Sequence, residues 1–226
     1  LTTPSRFSAI IFDCDGVLVD SEVLALEVEM TALAEIDLLY DGAEFRARFL
    51  GMSNTAFFDA LEADHRARHG RDLPGGFREL CHARYQAAWP RLTEVPGARA
   101  AVERVSLPKA VASSSTKDAL SRKLRQTDLW SLFAPHIYSA DHVARAKPAP
   151  DLFLYTADAL AIAPERCLVL EDSTNGVAAA RAAGMPVWGF AGGGHMDAAS
   201  GARLLSAGAE RVVPDWQTAA DLLSAL

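Results

Sequence analysis

Five short, largely apolar runs limit what this chain can fold into: Ala9–Phe12, Lys109–Ala112, His136–Ser139, Cys167–Leu170 and Val187–Phe190. Runs of this length bounded by turn-forming residues read as strands, and continuous rather than alternating apolarity marks strands covered on both faces. Val212 and Val213 suggest a sixth. Helical patterns lie between most of them, at Lys117–Gln126, Asp151–Leu160 and Gly176–Ala183. Strands alternating with helices predict an α/β fold with a Rossmann-like, doubly wound parallel sheet. Right-handed crossovers bring the C-terminal ends of such strands to one edge, where ligands bind.

The stretch from about Ser21 to Trp89 has no strand pattern. Val23, Leu26, Met30 and Leu33 fall on one helical stripe. Asn54–His69 also reads as a helix, with Asn54 as its candidate N-cap, and so does Gly76–Trp89. Pro90 and Pro96-Gly97 punctuate the way out. The expected organisation is a Rossmann-like catalytic core from residues 1–19 and 93–226. An all-helical cap domain, residues 20–92, is inserted after the first strand and is joined by two crossings, as a lid would be.

Bulk properties exclude several classes. A formal net charge of -7 argues against a broad nucleic-acid surface. Arg66, Arg68 and Arg71 are interleaved with Glu62, Asp64 and Asp72, which reads as a solvated helix face. The three cysteines, Cys14, Cys81 and Cys167, are widely spaced and odd in number. They imply no disulfide framework and fit a reducing cytoplasm. The apolar run before Asp13 is too short for a signal-peptide core, and no run approaches the roughly 18–20 residues of a membrane span. A cytoplasmic monomer that binds neither membrane nor nucleic acid is expected.

The chemistry concentrates at the strand ends. Ile10–Asp20 reads IIFDCDGVLVD, a strand that runs into two carboxylates one residue apart. If the backbone stays extended, Asp13 and Asp15 face the same way and share a site; a pair of turn aspartates reads as well from this segment alone. Ser113, Ser114, Ser115 and Thr116 follow the second strand, where hydroxyls and free N–H groups suit either phosphate oxygens or an ordinary helix cap. Lys147, in a chain with four lysines, follows the third strand and precedes Pro148 and Pro150, which restrict the backbone. Glu171 and Asp172 end the fourth strand as candidate ligands of a hard cation. Together these place four carboxylates, a hydroxyl cluster and a lysine at one sheet edge. A phosphate dianion could not enter unaided. One magnesium ion plus Lys147 offsets three of the four negative charges, and a proton on Asp15 offsets the last.

These motifs, in this order, resemble the haloacid dehalogenase-like hydrolases, specifically the phosphatase and β-phosphoglucomutase branch with a helical cap. The resemblance is carried by DCDGVLVDSE at Asp13–Glu22, Ser113, Lys147 in KPAPDLF, and Glu171-Asp172 in EDSTNGVAAARAAGM. It covers nearly the whole chain. It implies that Asp13 attacks phosphorus and becomes phosphorylated, and that Asp15 is the acid and then the base. Ser113, with Ser114 and neighbouring N–H groups, holds phosphoryl oxygens, and Lys147 neutralises charge between Asp13 and the phosphoryl group. Mg2+ is bound by the Asp13 carboxylate, the Asp15 carbonyl and Asp172, with Glu171 assisting. The substrate implied is a small phosphorylated metabolite of the sugar-phosphate kind.

Rival readings lose on particular residues. A dehalogenase does not need Asp15. A phosphonatase needs a cap lysine, and residues 20–92 contain none. Six positions after Cys14, Cys81 and Cys167 stand Asp20, Ala87 and Ser173, not the arginine of a cysteine phosphatase. No P-loop motif occurs. His65 and His69 share a helix face without a zincin glutamate between them and read as surface histidines. Gly192–Gly194 read as a loop bordering the site. The closest rival is a β-phosphoglucomutase-type mutase. Its characteristic cap histidine is matched here by Ala25, and the basic residues flanking its Gly-Val-Ser segment are matched by Leu50 and Asn54. A phosphatase is favoured, with Arg48, Ser53 and Asn54 as candidate substrate contacts. A binding protein without turnover would leave these catalytic positions unexplained.

Overall fold

The computed structural model of the chain describes residues 6–49, 52 and 54–226. Two compact units emerge, one from Leu1–Ser21 with Leu92–Leu226 and the other from Glu22–Arg91. The first is built on six strands: β1 Ala9–Phe12, β2 Lys109–Ser113, β3 Ile137–Ser139, β4 Cys167–Glu171, β5 Val187–Phe190 and β6 Arg211–Val213. They form one sheet in the order β3-β2-β1-β4-β5-β6, every pairing parallel. The α/β, Rossmann-like reading therefore holds, and Arg211–Val213 is the sixth strand. β2 and β4 run one residue beyond their apolar stretches because the parallel ladder continues: Ser113 pairs with Ser139, and Glu171 with Gly189.

The four residues of β1 are each 0% exposed, as a central strand covered on both faces requires. On one face Ala9 and Ile11 pack with Phe153, Val169 and Val177. On the other, Phe12 meets Phe133 at 5.6 Å and Trp216 at 6.0 Å between ring centroids, and Phe190 meets Trp216 at 5.1 Å. The indole Nε1 of Trp216 donates to the Val17 carbonyl at 2.8 Å, which fixes the segment just past β1. The helices of this unit are α5 Ala98–Glu103, α6 Lys117–Gln126, α7 Trp130–Phe133, α8 Asp151–Leu160, α9 Thr174–Ala182, α10 Ser200–Ser206 and α11 Trp216–Ser224, numbered after four that precede them. Strand order reverses at β1, which has β2 on one side and β4 on the other. The crevice beyond the carboxyl ends of these three strands is where such sheets hold ligands.

Those four helices, α1 Ser21–Ala34, α2 Gly42–Phe49, α3 Asn54–His69 and α4 Phe77–Ala88, build the second unit, except that Ser21 belongs to the first. No strand occurs among its described residues. Its core includes Leu33, Phe45, Phe57, Leu61 and Phe77. α2 is absent from the sequence reading because it offers Phe45 and Phe49 as its buried aromatics, too few for a clear period. Asn54 is the first residue of α3 rather than the residue before it, and Leu50, Gly51 and Ser53 lie outside the described residues. The surface reading of His65 is overturned. It is 0% exposed, with Nδ1 2.9 Å from the Arg71 carbonyl, while its neighbour His69 is half-buried. Arg48, a candidate substrate contact, is tied to the Asp64 carboxylate, which also accepts from Tyr40 Oη. Arg66 pairs in the open with Glu62 and Asp72, as a solvated face would. No described helix is long and apolar enough to cross a membrane.

Candidate active site

Asp13 directly follows β1, and its N–H still donates to the Leu170 carbonyl at 2.9 Å. The chain then turns. Gly16 has φ +76°, and its N–H donates to the Val19 carbonyl at 2.8 Å. The two aspartates are therefore neighbours with different partners, rather than a pair on one extended segment.

Asp13 belongs to Lys147. The ammonium, on a side chain 3% exposed, lies 2.6 Å from Asp13 Oδ1 and 2.7 Å from Glu171 Oε2, and it donates to the Ala112 carbonyl at 2.9 Å. One lysine thus ties together the ends of β1, β2 and β4. The second oxygen of Glu171, Oε1, accepts from the Ser173 N–H at 3.1 Å and hydroxyl at 2.8 Å. Gly176 makes room for it, since a Cβ there would fall 1.9 Å from Glu171 Cδ.

Asp15 belongs to Lys123. That ammonium contacts Asp15 Oδ1, which also accepts from the Ser21 hydroxyl. Asp15 Oδ2 accepts from Ser115 Oγ at 2.8 Å and from Ser113 Oγ at 3.3 Å. Ser113 also receives the Ser115 N–H at 3.1 Å, so the turn after β2 is folded around its own hydroxyl. Ser114 is exposed, and Ser115 joins Ser113 in donating to Asp15. Thr116 caps α6, so the helix-cap reading is met by the last residue of the hydroxyl cluster.

Lys123 and Ser21 were not singled out from the sequence as site residues, and Ser115 was named only as one of the hydroxyl cluster. Lys123 left a signal there: it lies on the Leu120–Leu124 face of α6, where an i, i+3, i+4 stripe calls for an apolar residue, and it is 7% exposed. A buried lysine needs a carboxylate partner.

Lys123 also changes the charge arithmetic. Burial alone would raise the Asp15 carboxyl, but the Lys123 ammonium and hydrogen bonds from Lys123, Ser21 and Ser115 hold it below its ordinary range. Asp13 goes the other way. Burial first, then the neighbouring Glu171, lift its carboxyl well above the usual range against the opposing pull of Lys147. The four acids and two ammoniums leave a formal charge of about −2 with His195 neutral.

Asp13, Glu171 and Asp172 each offer a carboxylate oxygen within 4.8 Å of one another. A cluster of hard oxygen donors with a residual double negative charge fits magnesium. Gly16 is part of the fit, because a Cβ there would fall 1.9 Å from Asp172 Oδ2. Gly16→Ala should therefore displace Asp172 and strain a left-handed backbone. We expect a stability loss of at least about 2 kcal/mol and weakened divalent-ion binding, measured by urea unfolding and metal titration. A variant matching the parent in both would contradict this packing.

Comparison with known proteins gives a consistent picture. A family model described as haloacid dehalogenase-like hydrolase matches residues 7–184. The chain is 28% identical over 196 residues to a 6-phosphogluconate phosphatase of Escherichia coli, covering 84% of this chain and 86% of that one. It is 30% identical over 181 residues to a phosphorylated carbohydrates phosphatase of Thermotoga maritima, covering 78% and 82%. The crystal structure of a hydrolase from Deinococcus radiodurans with bound phosphate and sodium aligns with a TM-score of 0.86 at 36% identity, over 97% of this chain and 96% of that one.

Proposed function

Because the chain belongs to the haloacid dehalogenase-like hydrolases and is a phosphoric monoester hydrolase, we propose that it is a magnesium-dependent phosphatase of small phosphorylated sugars or sugar acids, acting through an aspartyl-phosphate on Asp13. The observation that carries this reading is Lys147 joined to both Asp13 and Glu171 at the ends of three adjacent strands. The substrate class is supported by the sugar-phosphate relatives.

In the first half-reaction an Asp13 carboxylate oxygen attacks phosphorus in line with the ester oxygen. The Asp13 O–P bond forms, the P–O bond to the leaving group breaks, and Asp15 gives that alkoxide a proton. Ser113 and the N–H groups of the turn after β2 receive phosphoryl oxygens, and Lys147 offsets charge between them and Asp13. A dianion entering beside Asp15 raises the proton affinity of that carboxylate, which takes up a proton from solvent and then serves as the acid. In the second half-reaction Asp15 takes a proton from water, the water oxygen attacks phosphorus, and Asp13 is released with inorganic phosphate. Magnesium, held by Asp13, Asp172, the Asp15 carbonyl and Glu171, would supply charge neutralisation at the phosphoryl group. The helical unit is proposed as the cap that selects the leaving group, with Ala25 in place of a mutase histidine.

The test is phosphate release from a panel of sugar phosphates, including β-glucose 1-phosphate, with magnesium and with a chelator. Chelation should lower turnover by at least about 100-fold, and free phosphate should come from a few sugar esters. Undiminished turnover in chelator would overturn the metal requirement. Glucose 6-phosphate formed from β-glucose 1-phosphate with little free phosphate would make the enzyme a mutase.

A further inference from the structure

The loop after β5 reaches back to the carboxylate cluster through His195. This residue is 5% exposed, and its Nε2 lies 3.2 Å from Asp172 Oδ2. Bare backbone makes the approach possible. A Cβ on Gly193 would fall 2.7 Å from the Gly16 carbonyl oxygen and 2.7 Å from His195 Cε1. A Cβ on Gly16 would fall 2.6 Å from the same ring carbon. Two glycines from distant segments thus let the imidazole lie against Asp172.

The loop is held at several points. The Gly194 N–H donates to Asp20 Oδ1 at 3.3 Å, and the Met196 N–H donates to the Gly193 carbonyl at 3.0 Å. Further along, Asp197 accepts from Ser200 at 2.8 Å and from Arg203 at 2.9 Å. The ring is therefore carried by an anchored segment. Among the described residues, the ligand atoms within 4.8 Å of one another come from Asp13, Glu171 and Asp172. His195 stands outside that group and touches one member of it.

We propose that His195 is a positioning residue for the metal site. Its Nε2–H donates to Asp172 Oδ2 and holds that carboxylate in the orientation that, with Asp13 and Glu171, takes a divalent cation. The inference rests on the magnesium reading above. An aspartate carboxylate turns about two bonds, and a fixed donor removes that freedom before the ion arrives. Outer-shell donors of this kind typically change metal affinity by about 10- to 100-fold. Within the run Gly192–Gly194, read from the sequence as a loop bordering the site, Gly193 is the residue whose missing side chain leaves room for the imidazole.

The test uses the metal-free full chain titrated with Mn2+, with free Mn2+ followed by electron paramagnetic resonance. Three proteins are compared: the parent, His195→Leu, which fills the space without a donor, and His195→Gln, which keeps an N–H donor. Unfolding midpoints without metal are measured in parallel. We expect His195→Leu to bind Mn2+ about 10- to 100-fold more weakly, His195→Gln to recover most of the loss, and metal-free midpoints to track neither change. If the parent binds no Mn2+, the metal reading fails and takes this inference with it. If the parent binds and His195→Leu binds equally well, the metal reading stands and the positioning role is overturned. If Gln is as weak as Leu and both lower the metal-free midpoint, His195 is a packing residue and the proposal is wrong.

Discussion

Asp13→Asn is expected to abolish phosphate release, by at least about 10⁴-fold, in a protein that folds as well as the parent. Asparagine has nearly the same shape, so the end of β1 and its hydrogen bond to Leu170 remain. What disappears is a carboxylate oxygen able to bond phosphorus. Folding should not suffer, because Asp13 sits among Glu171, Asp172 and Asp15, whose charges with burial already oppose its ionisation. Removing one like charge from such a group relieves repulsion. Steady-state phosphate release and urea unfolding check the two halves. Residual activity within tenfold of the parent would remove Asp13 from the nucleophile's place.

Lys147→Ala is expected to produce the second large effect, on stability as well as turnover. The ammonium is the shared partner of Asp13 and Glu171, with side chains 9% and 1% exposed. Burial alone would lower the lysine's proton affinity, but the two carboxylates raise it well above its ordinary range, so it is charged at neutral pH. Truncation leaves two buried carboxylates facing each other. Breaking a buried ion pair on one side costs about 3–5 kcal/mol, and turnover should fall by about 10³-fold with the loss of charge neutralisation at the transferring group. Saturating magnesium should restore part of the stability, because the ion binds the folded state at the same carboxylates. Unfolding in chelator and in magnesium measures both. A variant as stable as the parent in chelator would contradict the buried pair.

The residues that were legible in the sequence share one property: they sit at the ends of strands. A parallel strand covered on both faces must be apolar, so the first polar residue after it stands out, and Asp13, Ser113, Glu171 and Asp172 were all found there. Lys147 emerged as a lysine just before two prolines in a chain with few lysines. Residues set in an ordinary local pattern did not stand out. Lys123 reaches Asp15 from a position 108 residues away, hidden in an ordinary amphipathic helix. His195 meets Asp172 only because Gly16 and Gly193 leave room. Ser114 and Ser115 were indistinguishable in sequence. The turn after β2 decides between them, exposing the first and directing the second at Asp15. The helical unit was legible as helices, but α2 was not, since two buried phenylalanines in eight residues leave no period to read.

The most direct test of the central claim is the covalent intermediate itself. Asp15→Ala removes the acid of the first half-reaction and the base of the second, so the substrate used is an aryl phosphate, whose leaving group needs no proton; a phosphorylated enzyme should accumulate when the variant is mixed with it and magnesium, then acid-quenched. Intact-mass measurement should show one added phosphoryl group, and peptide mapping should locate it on Asp13. Under the same quench the double variant carrying Asp13→Asn should show none. A variant that turns over substrate with no phosphorylated protein at any quench time, or one whose phosphoryl group maps to another residue, would contradict the account.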